Sequence, residues 1–343
     1  MQKENDKKTP QEEIDFVILW VDGSDTEWQK QKNKYIQRNM VDGRPQRYRD
    51  FGLLKYWFRG VELFAPWVRK IHFVTWGHLP DWLDTSHPKL NIVKHSDYLP
   101  EEYLPTFSSH PLELNLHRIK GISERFVYFN DDVFLINNTN PRDFFIDGKP
   151  VDMLALQPII VNPMNPTIAH IHVNNSLLIS RHFKKRTQMK QFKNKFFYPG
   201  NLKHCGYNLF ETAFPFFSGF YIIHGPSPII KDTIKTVWSE EYEVLDEVSK
   251  HKFRSCDDVS QYIFREWQMM SGNFVPTDLL KKFCYITIGN NLEKAEKIIR
   301  NQKRKMICLN DTDEEIDYEA VKSALSNALE SIMPESSSFE KQK

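Results

Sequence analysis

The sequence predicts an α/β protein with a mostly parallel sheet flanked by helices, because short apolar runs alternate with helical patterns through its first 136 residues. Several of these runs are apolar almost throughout and end in turn residues, as strands buried on both faces of a sheet do. The chain has 343 residues, which suits one large α/β unit with an appendage or two domains. The sequence contains no CxxC pair among its four cysteines and no internal repeat, which argues against a disulfide framework and a zinc ribbon.

The first half of the chain carries the clearest strand signals. An apolar run over 14–21 predicts a buried strand that ends in Asp22 and Gly23. A polar helix is predicted over 26–39, and an amphipathic helix follows over 51–64. The remaining elements predicted in this half are strands at 71–75, 91–94, 125–129 and 133–136 and a helix at 111–119.

The second half is less regular. The elements predicted there are strands at 151–161 and 306–309 and helices at 180–196, 257–270, 292–301 and 316–332. Asp257 or Asp258 is expected to cap the helix predicted over 257–270. The uncharged run over 212–230 contains three prolines, so we expect a buried wall of loops or a patch that touches a membrane rather than a spanning helix.

The net charge of +1 excludes a globally basic nucleic-acid binder, but it conceals a segregation of charge. Residues 153–210 contain no Asp or Glu and eight Lys or Arg, whereas 311–343 contain nine acids and three lysines. A block this basic suggests an anionic partner such as a diphosphate or an anionic membrane surface. The alternative is a solvated helix face.

Two acidic clusters follow predicted strands, where ligands bind in open parallel sheets. Asn130, Asp131 and Asp132 come after the strand at 125–129, and two adjacent carboxylates on a turn can hold Mg²⁺ together with phosphate oxygens. The alternative is a turn whose acidic side chains only cap nearby backbone groups. After the first strand, Trp20 offers a stacking face for a nucleotide base and Asp22 can accept from a ribose hydroxyl.

Arginines and histidines supply candidate phosphate ligands and bases. Gly23 would let the backbone approach a nucleotide, and Arg254 lies beside a predicted helix N-terminus, where phosphates bind. The other candidates, each with a structural alternative such as an ion pair or a core histidine, are Arg47, Arg49, Asp50, Arg59, His110, His117, Arg118, His170 and His172. The last two are expected at a strand end, and a histidine near a phosphate site can serve as general base.

Several segments of the chain, taken in sequence order, resemble the Stealth family of sugar-1-phosphate transferases. The resemblance rests on IDFVILWVDGSD at 14–25, on the long block over 47–83 and 104–134 that ends in FVYFNDDVF, and on KMICLND at 305–311. A weaker third block comprises AHIHVNN at 169–175 and RSCDDVSQYIFREWQ at 254–268. Several relatives carry His-x-Pro-His in that block, so His172 is favoured only slightly over His170 as the base.

The resemblance implies a GT-A-like (Rossmann-like) α/β fold with a helical insertion and a C-terminal helical extension. It implies a UDP-sugar donor and a divalent metal, Mg²⁺ or Mn²⁺, at Asp131 and Asp132, with Asn130 beside them and Asp22 in the donor site. Histidine of the third block would act as base, and arginines such as Arg254 would hold the phosphates.

The expected organisation is a disordered tail over 1–12, one catalytic unit over 13–311 and an acidic helical tail over 312–343. Within the unit, 13–150 would bind nucleotide and metal, and 151–311 would bind acceptor and phosphate.

The expected reaction is transfer of a hexose-1-phosphate from a UDP-sugar to a glycan hydroxyl, with release of UMP, in capsular or cell-wall polysaccharide synthesis. The alternatives are a glycosyltransferase that releases UDP and a binding scaffold without catalysis. The polar N-terminus predicts no signal peptide, and we expect a cytoplasmic protein, peripheral at an anionic membrane, that acts on a lipid-linked acceptor.

Overall fold

The computed structural model describes residues 13–36, 51–162, 166–312 and 316–342. Its strands are β1 (Ile14–Trp20), β2 (Ile71–Thr75), β3 (Leu90–Lys94), β4 (Arg125–Phe129), β5 (Val133–Leu135), β6 (Phe145–Ile146), β7 (Lys149–Asp152), β8 (Ser227–Ile230), β9 (Val275–Pro276), β10 (Phe283–Thr287) and β11 (Met306–Asn310). Its α-helices are α1 (Thr26–Tyr35), α2 (Leu54–Phe64), α3 (Ser109–Leu114), α4 (Pro166–His182), α5 (Lys185–Gln191), α6 (Lys193–Phe196), α7 (Leu202–Glu211), α8 (Lys231–Glu240), α9 (Tyr242–Ser249), α10 (Tyr262–Met270), α11 (Leu292–Arg300) and α12 (Tyr318–Glu330).

The main sheet has the strand order β3-β2-β1-β4-β8. The first four strands are parallel, and β8 runs antiparallel to β4 at one edge. All seven residues of β1 are buried, which matches its central position and its continuous apolar sequence. The predicted mostly parallel α/β sheet is therefore confirmed.

The two faces of β1 belong to different apolar cores. Phe16 and Ile18 pack in a core with Trp57 of α2, whereas Val17 and Leu19 pack in a core with Phe264 of α10. This alternation follows from the period of two along a strand. Helices therefore cover both faces of the sheet, and the ends of the strands remain as the place where a ligand can bind.

Two smaller sheets have the orders β10-β11-β5 and β6-β7-β9. In the first, β11 pairs antiparallel with β5 and places Cys308 opposite Val133, directly after the acidic turn. The last strand of the chain therefore returns to the end of β4. This long-range contact has no local sequence signal.

Three predictions for the second half of the chain need correction. The strand expected over 151–161 is limited to β7, because the chain beyond Asp152 forms only an isolated bridge from Leu156 to Phe220. The helix expected over 180–196 is instead the end of α4 followed by the short α5 and α6. His170 and His172 lie within α4 and not at a strand end.

The C-terminal tail forms the expected helix and packs against α2. Arg59 of α2 is buried and pairs with Glu330 at 3.1 Å and with Glu340 at 2.7 Å. This arginine therefore anchors the tail and is not a phosphate ligand. The expected disordered segment at 1–12 lies outside the described residues. No helix in the described part of the chain is long and apolar enough to cross a membrane.

A buried acidic side chain on α10 has an unusual environment. Arg265 pairs with Asp152 through two hydrogen bonds of 2.8 and 2.7 Å, which ties α10 to β7. Its neighbour Glu266 is fully buried. Burial raises the pKa of Glu266 well above its usual value, although Arg265 and Asn175 partly offset this.

Replacing this carboxyl group is expected to stabilise the protein in a pH-dependent way. A folded pKa above the unfolded one lowers the free energy of unfolding as pH rises beyond the unfolded value. Glu266→Gln should therefore gain about 1–3 kcal/mol near pH 8 and almost nothing near pH 4.5. Urea denaturation across this range measures the gain, with the exposed Glu243→Gln as control. A Glu266→Gln stability curve parallel to that of the wild type at all pH values would contradict this assignment.

Candidate active site

A cavity of about 640 Å³ lies beyond the carboxyl ends of β1 and β4. The strand order reverses between these two strands, because β2 and β3 lie on one side of them and β8 on the other. Such a switch point is the usual ligand site of an open α/β sheet. Trp20 at the end of β1 and Asp131 and Asp132 after β4 line this cavity.

The Asp132 carboxylate is the best-defined polar group in the cavity. One of its oxygens, Oδ2, accepts a hydrogen bond from the Cys308 thiol at 3.1 Å and lies 3.4 Å from Nε2 of His224. The other oxygen, Oδ1, is buried and has no hydrogen-bond partner within the described residues. Burial raises the pKa of Asp132, but the charge and hydrogen bond of His224 outweigh burial and lower it overall.

The topology explains how two distant residues reach Asp132. Because β8 runs antiparallel to β4, the residues before β8 lie beside the end of β4, and His224 is among them. Gly225 is needed there, since a Cβ atom would meet the Phe283 ring at 2.9 Å. On the other side, the Leu309 N–H donates to the Asp132 carbonyl at 2.8 Å, which holds Cys308 in place.

Two further aromatic rings extend this cluster. Nδ1 of His224 lies 2.7 Å from the Tyr262 hydroxyl on α10. The His172 ring on α4 stacks parallel to the Tyr262 ring, with 6.1 Å between centroids. Burial lowers the pKa of His172. Burial also tends to lower the pKa of His224, but the Asp132 charge outweighs this and raises it. The two imidazoles are therefore suited to different protonation states.

A second histidine cluster borders the same cavity. Asp258 is buried, and its two carboxylate oxygens lie 2.6 Å from Nδ1 of His110 and 2.6 Å from Nδ1 of His251. Burial raises the pKa of Asp258, but the two histidines outweigh burial and lower it. The hydrogen bond that His251 donates to Asp258 raises the pKa of His251. His110 lines the cavity, and Arg254 nearby donates to Ser109 Oγ at 3.4 Å.

The residues around Asp132 fit a divalent cation. The unpartnered Oδ1 offers a buried anionic oxygen, and Asn130 and Asp131 add oxygen atoms in the same turn, which suits Mg²⁺ or Mn²⁺. Ligand atoms of Asp132, His224 and Cys308 also lie within 4.8 Å of one another. That mixed set would suit a softer ion. Cys308 instead donates its proton to Asp132, so the oxygen set fits better.

The structure brings seven predicted site residues to the cavity wall: Trp20, His110, Asn130, Asp131, Asp132, His172 and Arg254. It does not bring His170 there, because that side chain lies on the exposed side of α4. Trp20 stacks on Phe73, which fixes its ring at the end of β1.

Other predicted residues lie apart from the lining. Asp22 accepts hydrogen bonds from Ser24, and the Gly23 carbonyl accepts one from Gln29, so both shape the turn before α1. His117 and Arg118 pack against Trp238.

Burial lowers the pKa of His117 to about 3, so this imidazole is neutral and offers no charge to a phosphate. The predicted Arg47, Arg49 and Asp50 lie outside the described residues. Asp257 and Asp258 do not cap the helix, which begins four residues later, at Tyr262.

Sequence reasoning missed His224, Cys308 and Tyr262, and left His110 among several histidines. Each lies on a different element, and only the strand pairing brings them together. The one available signal is that Asp132 follows an apolar run and Cys308 lies within another. That signal is too general to select them.

Family comparison adds independent information. The chain matches Stealth protein conserved region 1 over residues 12–40, conserved region 2 over 47–152 and conserved region 4 over 297–343. It is 41% identical to a capsular polysaccharide phosphotransferase WcwK of Streptococcus pneumoniae, over 96% of this chain and 99% of that protein.

Other relatives have similar names. The receptor polysaccharide phosphotransferase WefC of Streptococcus oralis is 37% identical over 95% of this chain and 99% of its own length. The exopolysaccharide phosphotransferase cps2G of Lactiplantibacillus plantarum is 34% identical over 96% of each chain.

Among solved structures, the galactosyltransferase LgtC with donor and acceptor sugar analogues has 10% identity and a TM-score of 0.38, over 92% of this chain and 95% of that one. Mouse xyloside xylosyltransferase 1 has 11% identity and a TM-score of 0.35, over 87% of this chain and 98% of that one. Scores this low carry no argument about function. The near-full-length relatives do, and they show that the chain belongs to the Stealth family and is an enzyme of the phosphotransferase kind.

Proposed function

We propose that this enzyme transfers a hexose-1-phosphate, such as N-acetylglucosamine- or galactose-1-phosphate, from a UDP-sugar to a hydroxyl of a glycan. The product is a phosphodiester in capsular or cell-wall polysaccharide, and UMP is released. The observation that carries the proposal is the Asp131–Asp132 turn, which presents a buried, unpartnered carboxylate oxygen at the switch point of the sheet. The names of the near-full-length relatives support the same reaction class.

The proposed reaction exchanges one bond at the β-phosphorus of the donor for another. The acceptor oxygen forms a bond to the β-phosphorus of the donor, and the bond from that phosphorus to the bridging oxygen breaks, so UMP leaves with the electron pair. Such transfers have a loose transition state, so the site must mainly position groups and neutralise charge. Asp131, Asp132 and Asn130 would hold Mg²⁺ or Mn²⁺, which when bound offsets the negative charge of the diphosphate.

His172 is the proposed base for the acceptor hydroxyl. It lines the cavity, whereas His170 faces solvent, and its lowered pKa keeps the imidazole neutral at physiological pH. His224 does not suit this role, because its pairing with Asp132 raises its pKa and favours the protonated form. We assign His224 to holding the Asp132 carboxylate in position.

The donor would lie between the two strand ends. Trp20 offers its ring at the end of β1 for the base, and Asp22 and Gly23 in the next turn would contact the ribose. Arg254 lines the same cavity and would hold oxygens of the transferred phosphate. Arg47, Arg49, Asp50 and Arg118 remain sequence-based candidates for donor contacts, whereas His117 is neutral and packs against Trp238.

The proposed cellular setting is the cytoplasmic face of the plasma membrane, with a lipid-linked glycan as acceptor. We also propose that residues 13–311 act as one unit, with donor and metal held by 13–150 and acceptor and phosphate by 151–311, because the cavity is lined from both halves.

Identifying the nucleotide product tests the reaction class. The enzyme is incubated with a UDP-sugar, Mn²⁺ and an acceptor glycan, and the nucleotide is separated by anion-exchange chromatography. UMP should form in proportion to phosphodiester, because the β-phosphorus is attacked. Formation of UDP instead would mean attack at the anomeric carbon and would establish the alternative, a glycosyltransferase. Absence of both nucleotides with a panel of UDP-sugars and authentic acceptor would favour a binding scaffold.

The Asp258 carboxylate is expected to act through His110. By accepting from Nδ1–H it would leave Nε2 of His110 as an acceptor toward the cavity. Asp258→Asn should lower kcat about 10- to 100-fold with a smaller change in KM and shift the acidic limb of the pH–rate profile. The neighbouring Asp257→Asn is the matched control, since Asp257 is exposed. Equal kcat and pH profiles for the two folded variants would refute the role of Asp258.

A further inference from the structure

The helix α7 has its polarity reversed relative to a surface helix of a globular protein. Its buried side chains are polar: His204, Asn208 and Glu211, spaced four and three residues apart. Its outward side chains include Leu202, which is 76% exposed, and Phe210, which is 58% exposed. Large apolar side chains thus face outward where charged ones are usual.

A buried polar network fixes this orientation. The Asn208 side chain accepts from the Leu156 N–H at 2.7 Å and donates to the Leu154 and Phe196 carbonyls. Glu211 is fully buried and pairs with Lys185 Nζ at 2.8 Å. Rotating α7 to bury its apolar side would break these bonds and leave buried polar groups unpaired, which costs more than the exposure. The apolar face is therefore built into the fold.

The apolar surface continues from α7 to the rim of the active-site cavity. Phe216, which is 76% exposed, lies beyond the end of the helix. The next residues pair with the chain at 157–159, because the Ile159 N–H donates to the Ser218 carbonyl. Directly after that pairing, Ile160 is 77% exposed and also lines the cavity. We call the surface formed by the following residues the α7 face: Ile160, Val161, Leu202, Leu209, Phe210, Phe214 and Phe216.

Basic side chains outnumber acidic ones in the sequence that forms the α7 face, although Arg181 pairs with Glu241 and Asp278 lies near His204. Glu211 is the only acid in the sequence from 153 to 231, and its pairing with Lys185 removes it from the surface. Lys185 also donates to the Phe216 carbonyl, which places the start of α5 against this segment. The exposed cations of the same stretch are Lys184, Arg186, Lys190, Lys193 and Lys203.

We propose that the α7 face binds an anionic lipid bilayer and holds the cavity mouth at the membrane surface. This rests on the proposed function, since a lipid-linked acceptor would then reach the cavity without leaving the membrane. Aromatic and aliphatic side chains enter the headgroup boundary while neighbouring lysines and arginines pair with anionic lipids. A second copy of this chain fits less well, because a symmetric contact would bring the two sets of cations together.

Vesicle flotation tests the proposal. Wild-type enzyme should float with phosphatidylcholine vesicles containing phosphatidylglycerol and stay unbound with phosphatidylcholine alone. The double variant Phe210→Ser/Phe216→Ser should bind the anionic vesicles at least about 10-fold more weakly. Leu63→Ser is the matched control, because Leu63 is 52% exposed on α2 and lies outside the α7 face. It should float like the wild type.

Failure of this proposal and failure of the proposed function are distinguishable. UMP formation with a water-soluble acceptor should be the same in the wild type and the double variant, whatever happens with vesicles. Wild-type enzyme that does not float, or a folded double variant that floats normally, would overturn the membrane assignment. So would light scattering that shows a wild-type dimer and a monomeric double variant, since the face would then bind a second copy.

Discussion

The carboxylate of Asp132 is held between strands that reach it from distant parts of the chain. It lies at the carboxyl end of β4, and His224 before β8 and Cys308 on β11 contact the same oxygen. Both contacts depend on strand pairing: β8 must run antiparallel to β4, and β11 must pair with β5. Because Oδ2 is held in this way, Oδ1 stays buried and available to a cation.

The rest of the cavity is arranged around that carboxylate. Tyr262 links His224 to the His172 ring, so the helices α4 and α10 are positioned relative to Asp132. Asp258 holds His110 at the same cavity. Asp132 and Asp258 therefore each hold histidine side chains, and Arg254 adds a guanidinium group to the lining. In the proposed function, these groups would neutralise the charge of a diphosphate without blocking proton transfer.

Local sequence patterns predicted the parallel strands well. The runs that became β1, β2 and β4 are apolar almost throughout, and burial on both faces leaves a strong local signature. The acidic turn at Asp131 and Asp132 could be found because it follows such a run. His224 and Cys308 could not, because their contacts with Asp132 span the chain and follow from tertiary pairing. The strand predicted over 151–161 is realised only at its start, because the chain beyond Asp152 contacts residues 218–220 through an isolated bridge and a few hydrogen bonds and does not form a regular ladder.

The near-neutral net charge is the sum of surfaces with opposite character. The buried pair of Lys185 and Glu211 removes the one acid of the basic stretch from solvent, and Arg59 binds two acids of the C-terminal tail. The stretch beside the apolar α7 face therefore keeps an excess of basic side chains at the surface. The net charge of the sequence does not reveal this difference, because only the fold shows which charged side chains pair with each other.

The proposed function requires that Asp132 holds a divalent cation through its Oδ1 oxygen. Isothermal titration of the metal-free enzyme with Mn²⁺ tests it most directly, with Asp81→Asn as a control at an exposed acid outside the cavity. Wild type and Asp81→Asn should bind Mn²⁺ equally, and Asp132→Asn, with an unchanged circular dichroism spectrum, should bind at least about 10-fold more weakly. Wild-type affinity in the folded Asp132→Asn protein would contradict the account.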